Sequence, residues 1–121
     1  MSFAFPRQQR LNREEDFRRL LKKGKKIRNR FFFFYFLQNN YPYHRFAVSV
    51  NRKIGNAVQR NYIKRMMKEW FRLNRHLANV NNVNIEKTYD IWIMVKHHFD
   101  QTNVQEIEQL FLYSLKKMTR R

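Results

Sequence analysis

The chain has 121 residues and no cysteine, and its 26 Lys and Arg against nine Asp and Glu give a formal net charge of +17. The length suits one domain over residues 1–121, with a flexible N-terminal segment expected at 1–11. Without cysteine there is no disulfide framework, thiolate metal site or cysteine nucleophile, which fits a reducing cytoplasm. No apolar stretch approaches the ~18 residues of a membrane span, so we expect no membrane insertion.

The charge predicts a polyanionic partner, because so large an excess of one sign works against a compact state unless a counter-charge offsets it. Nucleic acid is the first candidate and an anionic membrane surface the second. Composition alone leaves DNA and RNA both open.

The first predicted element is a helix over residues 12–24. Asn12 and Glu15 have the spacing of a capping box, and Gly24 permits a left-handed end. Residues 27–37 then form a strand rich in aromatic side chains, and residues 45–50 form a second strand. A short extra strand is considered at residues 41–44.

A long helix, a strand over residues 89–95 and a final helix follow, with a polar connector at 76–88. Asn103 and Glu106 are placed to cap the final helix. Its expected buried stripe consists of Val104, Ile107, Leu110, Phe111, Leu115 and Met118. The predicted fold is an α+β sandwich of three helices on a small mixed sheet.

The long helix carries its cations on one face. At ~100° per residue, this arc holds Arg60, Asn61, Lys64, Arg65, Lys68, Arg72 and Arg75. Glu69 is the only acid between Arg45 and Arg75, whereas a solvated face usually interleaves both signs. Like charges at i, i+4 destabilise an isolated helix, and a phosphate backbone would reverse that effect. The face therefore predicts nucleic-acid binding.

The connection before this helix reads "NRKIGN" and adds Arg52 and Lys53. Gly55 permits a positive φ or a close backbone approach, and the helix N-terminus offers amide donors to a phosphate. The glycine spacing of a P-loop is absent.

The stretch "SVNRKIGNAVQRNYIKRMMKE" closely resembles the signature of the bacterial ribonuclease P protein component. The resemblance covers nearly the whole chain, including "REEDFRRLLKKG" and "YDIWIMV". It implies about four strands, the order α-β-β-β-α-β-α and a left-handed βαβ crossover, which departs from the usual right-handed preference.

The resemblance also implies a function. Family members assist a catalytic RNA that removes the 5′ leader of precursor tRNA, with Mg²⁺ bound mainly by the RNA. The chain would be a non-catalytic protein subunit of this endoribonuclease, with the RNA subunit and precursor tRNA as partners and without DNA, membrane or self-association. The expected RNA-subunit contacts are Arg52, Lys53, Arg60, Asn61, Lys64, Arg65, Lys68 and Arg72. Asn61 could also order a hydrated Mg²⁺.

Residues 31–36 are six consecutive aromatic rings. In a strand, Phe31, Phe33 and Tyr35 face one way and Phe32, Phe34 and Phe36 the other. By resemblance, the face of Phe33 and Tyr35 joins the first helix in a cleft for the single-stranded leader. Burial under helices stays open for Phe31 and is expected for Phe32, Phe34 and Phe36. That cleft consists of Phe17, Leu21, Phe33 and Tyr35, with Lys96 supplying a charge. Relatives often carry an aromatic residue where Leu21 stands.

Three other functions are weighed. A self-sufficient nuclease needs a carboxylate cluster or a histidine acid–base pair, and neither is seen. A ribosomal-type structural RNA-binding protein fits the charge and size equally well. A DNA-binding helix-turn-helix lacks its partner helix. His97 and His98 are adjacent and without supporting ligands, which argues against a metal site.

Overall fold

The computed structural model describes residues 9–74 and 87–119. Within these ranges, three α-helices and four strands follow one another in the predicted order α-β-β-β-α-β-α, which confirms the predicted fold class. They are α1 (Glu14–Lys23), β1 (Lys25–Arg28), β2 (Phe32–Gln38), β3 (Arg45–Val50), α2 (Ala57–Asn74), β4 (Tyr89–Val95) and α3 (Val104–Thr119). Within the described ranges, each helix is too short or too polar to serve as a membrane span.

The four strands form one mixed sheet in the order β1-β2-β4-β3. The pairs β1–β2 and β2–β4 are antiparallel, whereas β3 and β4 are parallel neighbours joined through α2. The register places Phe33 opposite Met94 and Tyr35 opposite Trp92. The left hand of the β3–α2–β4 crossover stays a prediction.

The sheet separates two apolar cores. Helices α2 and α3 pack on one face, where Phe32, Phe34 and Phe36 are buried. Helix α1 packs on the other face through Leu20 and Phe17, against Tyr35 and Trp92. The predicted alternation of the aromatic rings is thus confirmed over the strand, and the predicted stripe of α3 packs into the first core.

The aromatic segment is not one strand from residue 27 to residue 37, as predicted, but a hairpin. The side-chain oxygen of Asn29 accepts hydrogen bonds from the N–H groups of Phe31 (2.8 Å) and Phe32 (3.0 Å), which turns the chain between β1 and β2. Phe31 precedes β2 and is fully buried in the α2–α3 core, so its assignment to the Phe33 face was wrong. No strand forms at residues 41–44, and β1 supplies the fourth strand.

Both ends of α1 differ from the prediction. The helix is capped at Arg13 without a side-chain hydrogen bond, so the Asn12–Glu15 capping box is wrong. Gly24 has φ −74°, which is extended and not left-handed. A Cβ at Gly24 would lie 2.5 Å from the carbonyl oxygen of Leu20, so this glycine allows a close backbone approach.

The start of α3 is also built differently. The side chain of Asn103 accepts from the N–H of Asp100 (2.9 Å) and donates to the carbonyl of His98 (3.1 Å). The Asp100 carboxylate in turn accepts from the N–H groups of Thr102 and Asn103, so the Asn103–Glu106 capping box is wrong.

Part of the predicted N-terminal segment packs against the sheet. Arg10 forms a parallel bridge with Phe46, and the N–H of Leu11 donates to the carbonyl of Phe46 at 3.2 Å. Leu11 is buried in the α1-side core, and the flexibility expected of residues 1–11 stays a prediction. Residues 1–8 of that segment and residues 76–86 of the predicted connector lie outside the described residues.

Candidate nucleic-acid interface

The predicted basic face of α2 exists as a surface. The inner side of α2 buries Ile63, Met67, Trp70 and Phe71 against the sheet. Its outer side leaves Asn61 and Arg65 exposed and Arg60, Lys64 and Lys68 half-buried. Among the described residues, no carboxylate lies within ion-pair distance of these four cations. Arg75 lies outside the described residues.

Glu69 and Arg10 change the positive charge at this face, the first by reducing it and the second by adding to it. Arg72, at its C-terminal end, pairs with Glu69 at 2.6 Å and is partly neutralised. The pKa of Lys68 is lowered by burial, then by the nearby charges of Arg10 and Lys64. Arg10, held at the edge of β3, therefore extends the positive surface beyond the helix. The fixed repulsion that Lys68 experiences would be relieved by a bound phosphate.

The connection to α2 places Arg52 and Lys53 at the start of the same surface. They lie in a 3-10 turn, Arg52–Ile54, whose N-cap Asn51 accepts from the N–H of Lys53 at 2.9 Å. Both cations are exposed. They precede the α2 face along the chain, and their contact with RNA stays a prediction.

Gly55 does not have a positive φ; its backbone is extended. Beside it, the side chains of Asn56 and Gln59 hydrogen-bond each other's backbone N–H, both at 2.9 Å. This capping box occupies an amide that we expected to be offered to a phosphate. An added Cβ at Gly55 would collide with the Gln59 side chain, so the glycine leaves room for the cap.

The second predicted site, the cleft beside α1, is centred on Phe33. Its ring is half-buried. The ammonium groups of Lys96 and Lys26 lie 4.1 Å and 4.6 Å from its centroid. Lys96 was predicted; Lys26 was not, because the single-strand prediction hid the pairing of β1 with β2. An aromatic surface between two cations can stack a base and neutralise its phosphates.

Tyr35 differs from the prediction. It is only 8% exposed, and its ring stacks on Trp92 at 5.1 Å between centroids. Phe17 contacts the same indole edge-on at 4.8 Å. Burial of Tyr35 follows from Leu20 of α1, which covers this part of the sheet. Tyr35 is thus a wall of the cleft, and its buried ring is not free for the base stacking that was predicted for it.

Leu21 projects from α1 beside this wall and is 56% exposed. An aliphatic side chain offers apolar contact without a π face, so the cleft has fewer stacking platforms than the resemblance implied. Two aromatic rings of the predicted cleft are half-buried: Phe17, which packs edge-on against Trp92, and Phe33, which lies between the two lysines.

A buried ion-pair network holds α1 in place beside the cleft. Asp90 of β4 is fully buried and accepts from Arg45 of β3 (2.7 and 2.8 Å) and from Arg19 of α1 (2.8 Å). Asp16 of α1 accepts from the same Arg45 at 3.2 Å. These hydrogen bonds raise the pKa of Arg45, chiefly through Asp90. Sequence analysis missed this network, although a lone Asp in the apolar run "YDIWIMV" is a signal for it.

The donor groups do not fit a metal ion held by the protein alone. Within the described ranges, no three His, Asp or Glu side chains form a cluster that could bind one. Asn61 contributes a single amide, and the charges nearest to it along α2 are positive, whereas Mg²⁺ prefers several carboxylate or phosphate oxygens. His97 and His98 stack on each other, and His98 contacts Asp100 at 3.0 Å.

Comparison with known proteins agrees with this geometry. The family profile described as Ribonuclease P matches residues 5–119. The chain belongs to the ribonuclease P protein family. The ribonuclease P protein component of Alkaliphilus oremlandii is 35% identical over 90% of both chains, and that of Alkaliphilus metalliredigens is 32% identical over 89% of this chain and 91% of its own.

Solved structures of the family show the same fold. The RNase P protein from Thermotoga maritima superimposes with a TM-score of 0.62 at 28% identity, covering 93% of this chain and 96% of that one. The Staphylococcus aureus protein gives 0.59 at 28% identity, with 93% and 89% covered. As a ribonuclease P protein component, the chain is a subunit of an endoribonuclease and takes part in tRNA processing.

Proposed function

We propose that the chain binds the catalytic RNA subunit of ribonuclease P through α2 and the 5′ leader of precursor tRNA through the cleft at Phe33. The observation that carries the proposal is the separation of two cationic surfaces. The α2 face is a stripe of point charges without a stacking ring among Arg60, Lys64, Arg65 and Lys68, which suits a folded RNA backbone. The cleft combines one ring with two lysines, which suits unpaired nucleotides.

The reaction is assigned to the RNA subunit. Mg²⁺, which we assign to that RNA, supplies the Lewis-acid and water-activating chemistry of phosphodiester hydrolysis. The protein contributes positive charge that lets RNA, substrate and protein approach, and it orients the leader. In this proposal the chain acts in the cytoplasm, where precursor tRNA is processed.

The leader contact is tested with a matched pair of alanine variants in the reconstituted holoenzyme. Phe33 and Phe34 are adjacent in β2, but Phe33 is half-buried toward the cleft and Phe34 is fully buried in the other core. Phe33→Ala should weaken binding of precursor tRNA by ~1–3 kcal/mol, the stacking energy of a base, and leave mature tRNA unaffected. Phe34→Ala should destabilise the fold by ~3–5 kcal/mol.

The measurements are dissociation constants for precursor and mature tRNA, together with urea unfolding of each variant. Equal losses on both tRNA forms in Phe33→Ala would contradict leader binding at this ring. If the chain binds ribonuclease P RNA no better than ribosomal RNA and does not promote cleavage at low Mg²⁺, a general structural RNA-binding role replaces the proposal.

A further inference from the structure

Strand β1 carries two cations: Lys26, whose ammonium group lies 4.6 Å from the centroid of Phe33 at the border of the cleft, and Arg28, which belongs neither to the α2 surface nor to the cleft described above. Lys26 and Arg28 pair with Tyr35 and Phe33 of β2, so their side chains lie on the cleft face of the sheet. Both are exposed, and the intervening Ile27 is buried on the opposite face. β1 is an edge strand, and its charges therefore border the cleft on the side away from β4.

These cations and Lys96 stand on opposite sides of Phe33. β2 lies between β1 and β4, so Lys96, Phe33 and the pair Lys26–Arg28 follow one another across the sheet. In the part of the chain that the structure describes, no carboxylate lies within ion-pair distance of these three cations. Within those described residues, no carboxylate compensates their mutual repulsion.

We propose that Lys26 and Arg28 form a second phosphate-binding rim, which carries the leader beyond the nucleotide at Phe33 and over the edge of β1. This inference rests on the proposed leader cleft. Neighbouring strands are about 4.8 Å apart, so the rim is one strand spacing from the stacking ring. An RNA strand that crosses the sheet thus meets Lys96, then the Phe33 ring, and then Lys26 and Arg28.

The occupant is single-stranded RNA and not a duplex. In an A-form duplex the bases are paired and stacked on each other, so a ring lying between the cations would have no base to contact. In a single strand the bases are available to Phe33 while the phosphates reach Lys96 on one side and the β1 rim on the other. Contacts to phosphates carry no sequence information, so the rim should respond to leader length and not to leader sequence.

The test uses the reconstituted holoenzyme and precursor tRNAs whose leaders grow one nucleotide at a time. The variant is Lys26→Gln/Arg28→Gln, and the matched control is Lys116→Gln/Lys117→Gln, which removes the same charge from α3 on the opposite face. Dissociation constants are measured for each leader length and for mature tRNA, at about 50 and 200 mM salt. Each phosphate contact with a single strand contributes ~0.7 to the slope of log K against log[salt]. The β1 variant lacks two such contacts. Between about 50 and 200 mM salt, the affinity of wild type for the longest leader should therefore weaken about 7-fold more than the affinity of the β1 variant.

The expected result is that wild type and control gain affinity with leader nucleotides beyond the first few, whereas the β1 variant stops gaining earlier and binds mature tRNA normally. The inference is overturned if the β1 variant follows wild type at every length, or if it loses equal affinity for mature tRNA. If wild-type holoenzyme binds leader-bearing and mature tRNA equally well, both the proposed leader cleft and the β1 rim that rests on it are contradicted. Phe33→Ala separates the two cases, because it should weaken even the short leaders that do not reach β1.

Discussion

The buried carboxylate of Asp90 is expected to fix α1 beside the proposed leader cleft, and Asp90→Asn should break this arrangement. Each carboxylate oxygen accepts two hydrogen bonds: one from Arg45 Nε and Asn39 Nδ2, both at 2.8 Å, the other from Arg45 Nη2 (2.7 Å) and Arg19 Nη2 (2.8 Å). An asparagine amide presents an NH₂ group in place of one oxygen. Whichever way it is turned, two donors face another donor, and Arg45 and Arg19 lose one of their two carboxylate partners.

The loss should be large because Asp90 is fully buried and Arg45 nearly so. Removing one partner of a buried ion pair costs about 3–5 kcal/mol, since the remaining charge is left uncompensated. Arg45 keeps Asp16 as a partner at 3.2 Å, which places the expected loss near the lower end, about 3 kcal/mol. Urea unfolding followed by tryptophan fluorescence measures this value directly.

The matched control is Glu14→Gln, which breaks the exposed pair between Glu14 and Arg18 on the same helix. Exposed pairs of this kind contribute at most about 1 kcal/mol. If Asp90→Asn is no more destabilising than Glu14→Gln, the network does not hold the helix. A folded Asp90→Asn protein should also bind precursor tRNA less well relative to mature tRNA, because α1 no longer has a fixed position beside Phe33.

Three further outcomes are expected. Tyr35→Ala should lower the free energy of unfolding by about 3 kcal/mol in urea, since the ring is buried against Trp92, and a stable variant would contradict that packing. Arg65→Gln should reduce the log–log salt slope for RNA-subunit binding by about 0.7–0.9, and an unchanged slope and affinity would remove this residue from the interface. Gly24→Ala should destabilise the protein by about 1–3 kcal/mol, because the added Cβ clashes with the backbone carbonyl of Leu20. Gly55→Ala should have a smaller effect, because only the flexible Gln59 side chain must move. If thermal unfolding shows Gly55→Ala to be the more destabilising of the two, these roles of the two glycines are wrong.

The order of the elements could be predicted because periodicity is a local signal. The apolar positions of α3 recur at helical spacing, and residues 89–95 form a strongly apolar, β-prone run; both elements appear where the sequence places them. The basic face of α2 could be predicted for the same reason, since a helical wheel fixes which side chains share an arc. The alternation of Phe33 and Phe34 between two cores follows from the two-residue period of a strand.

Other features depend on partners distant in sequence. Asn29 ends β1 by accepting two backbone hydrogen bonds, and an aromatic run alone hides that turn. Tyr35 could be placed on the cleft face, but its burial depends on Trp92 and on Leu20 of α1, which are remote along the chain. The predicted cap of α1 is wrong because the helix begins one residue later, with Arg13 and not Asn12 at the N-cap position. The predicted cap of α3 is wrong because the Asn103 side chain is bonded to Asp100 and His98.

The distribution of acids explains how a protein with so high a net charge keeps its fold. Asp16 and Asp90, two of the nine acids, are buried and compensate Arg45 and Arg19 between α1 and the sheet. Glu69 compensates Arg72 at the end of α2. The cations around Phe33 and along the middle of α2 have no such partner in the described ranges, although nearby acids would have stabilised the free protein. Carboxylates therefore stabilise the interior and leave two surfaces uncompensated, and it is on these surfaces that an RNA phosphate gains the most.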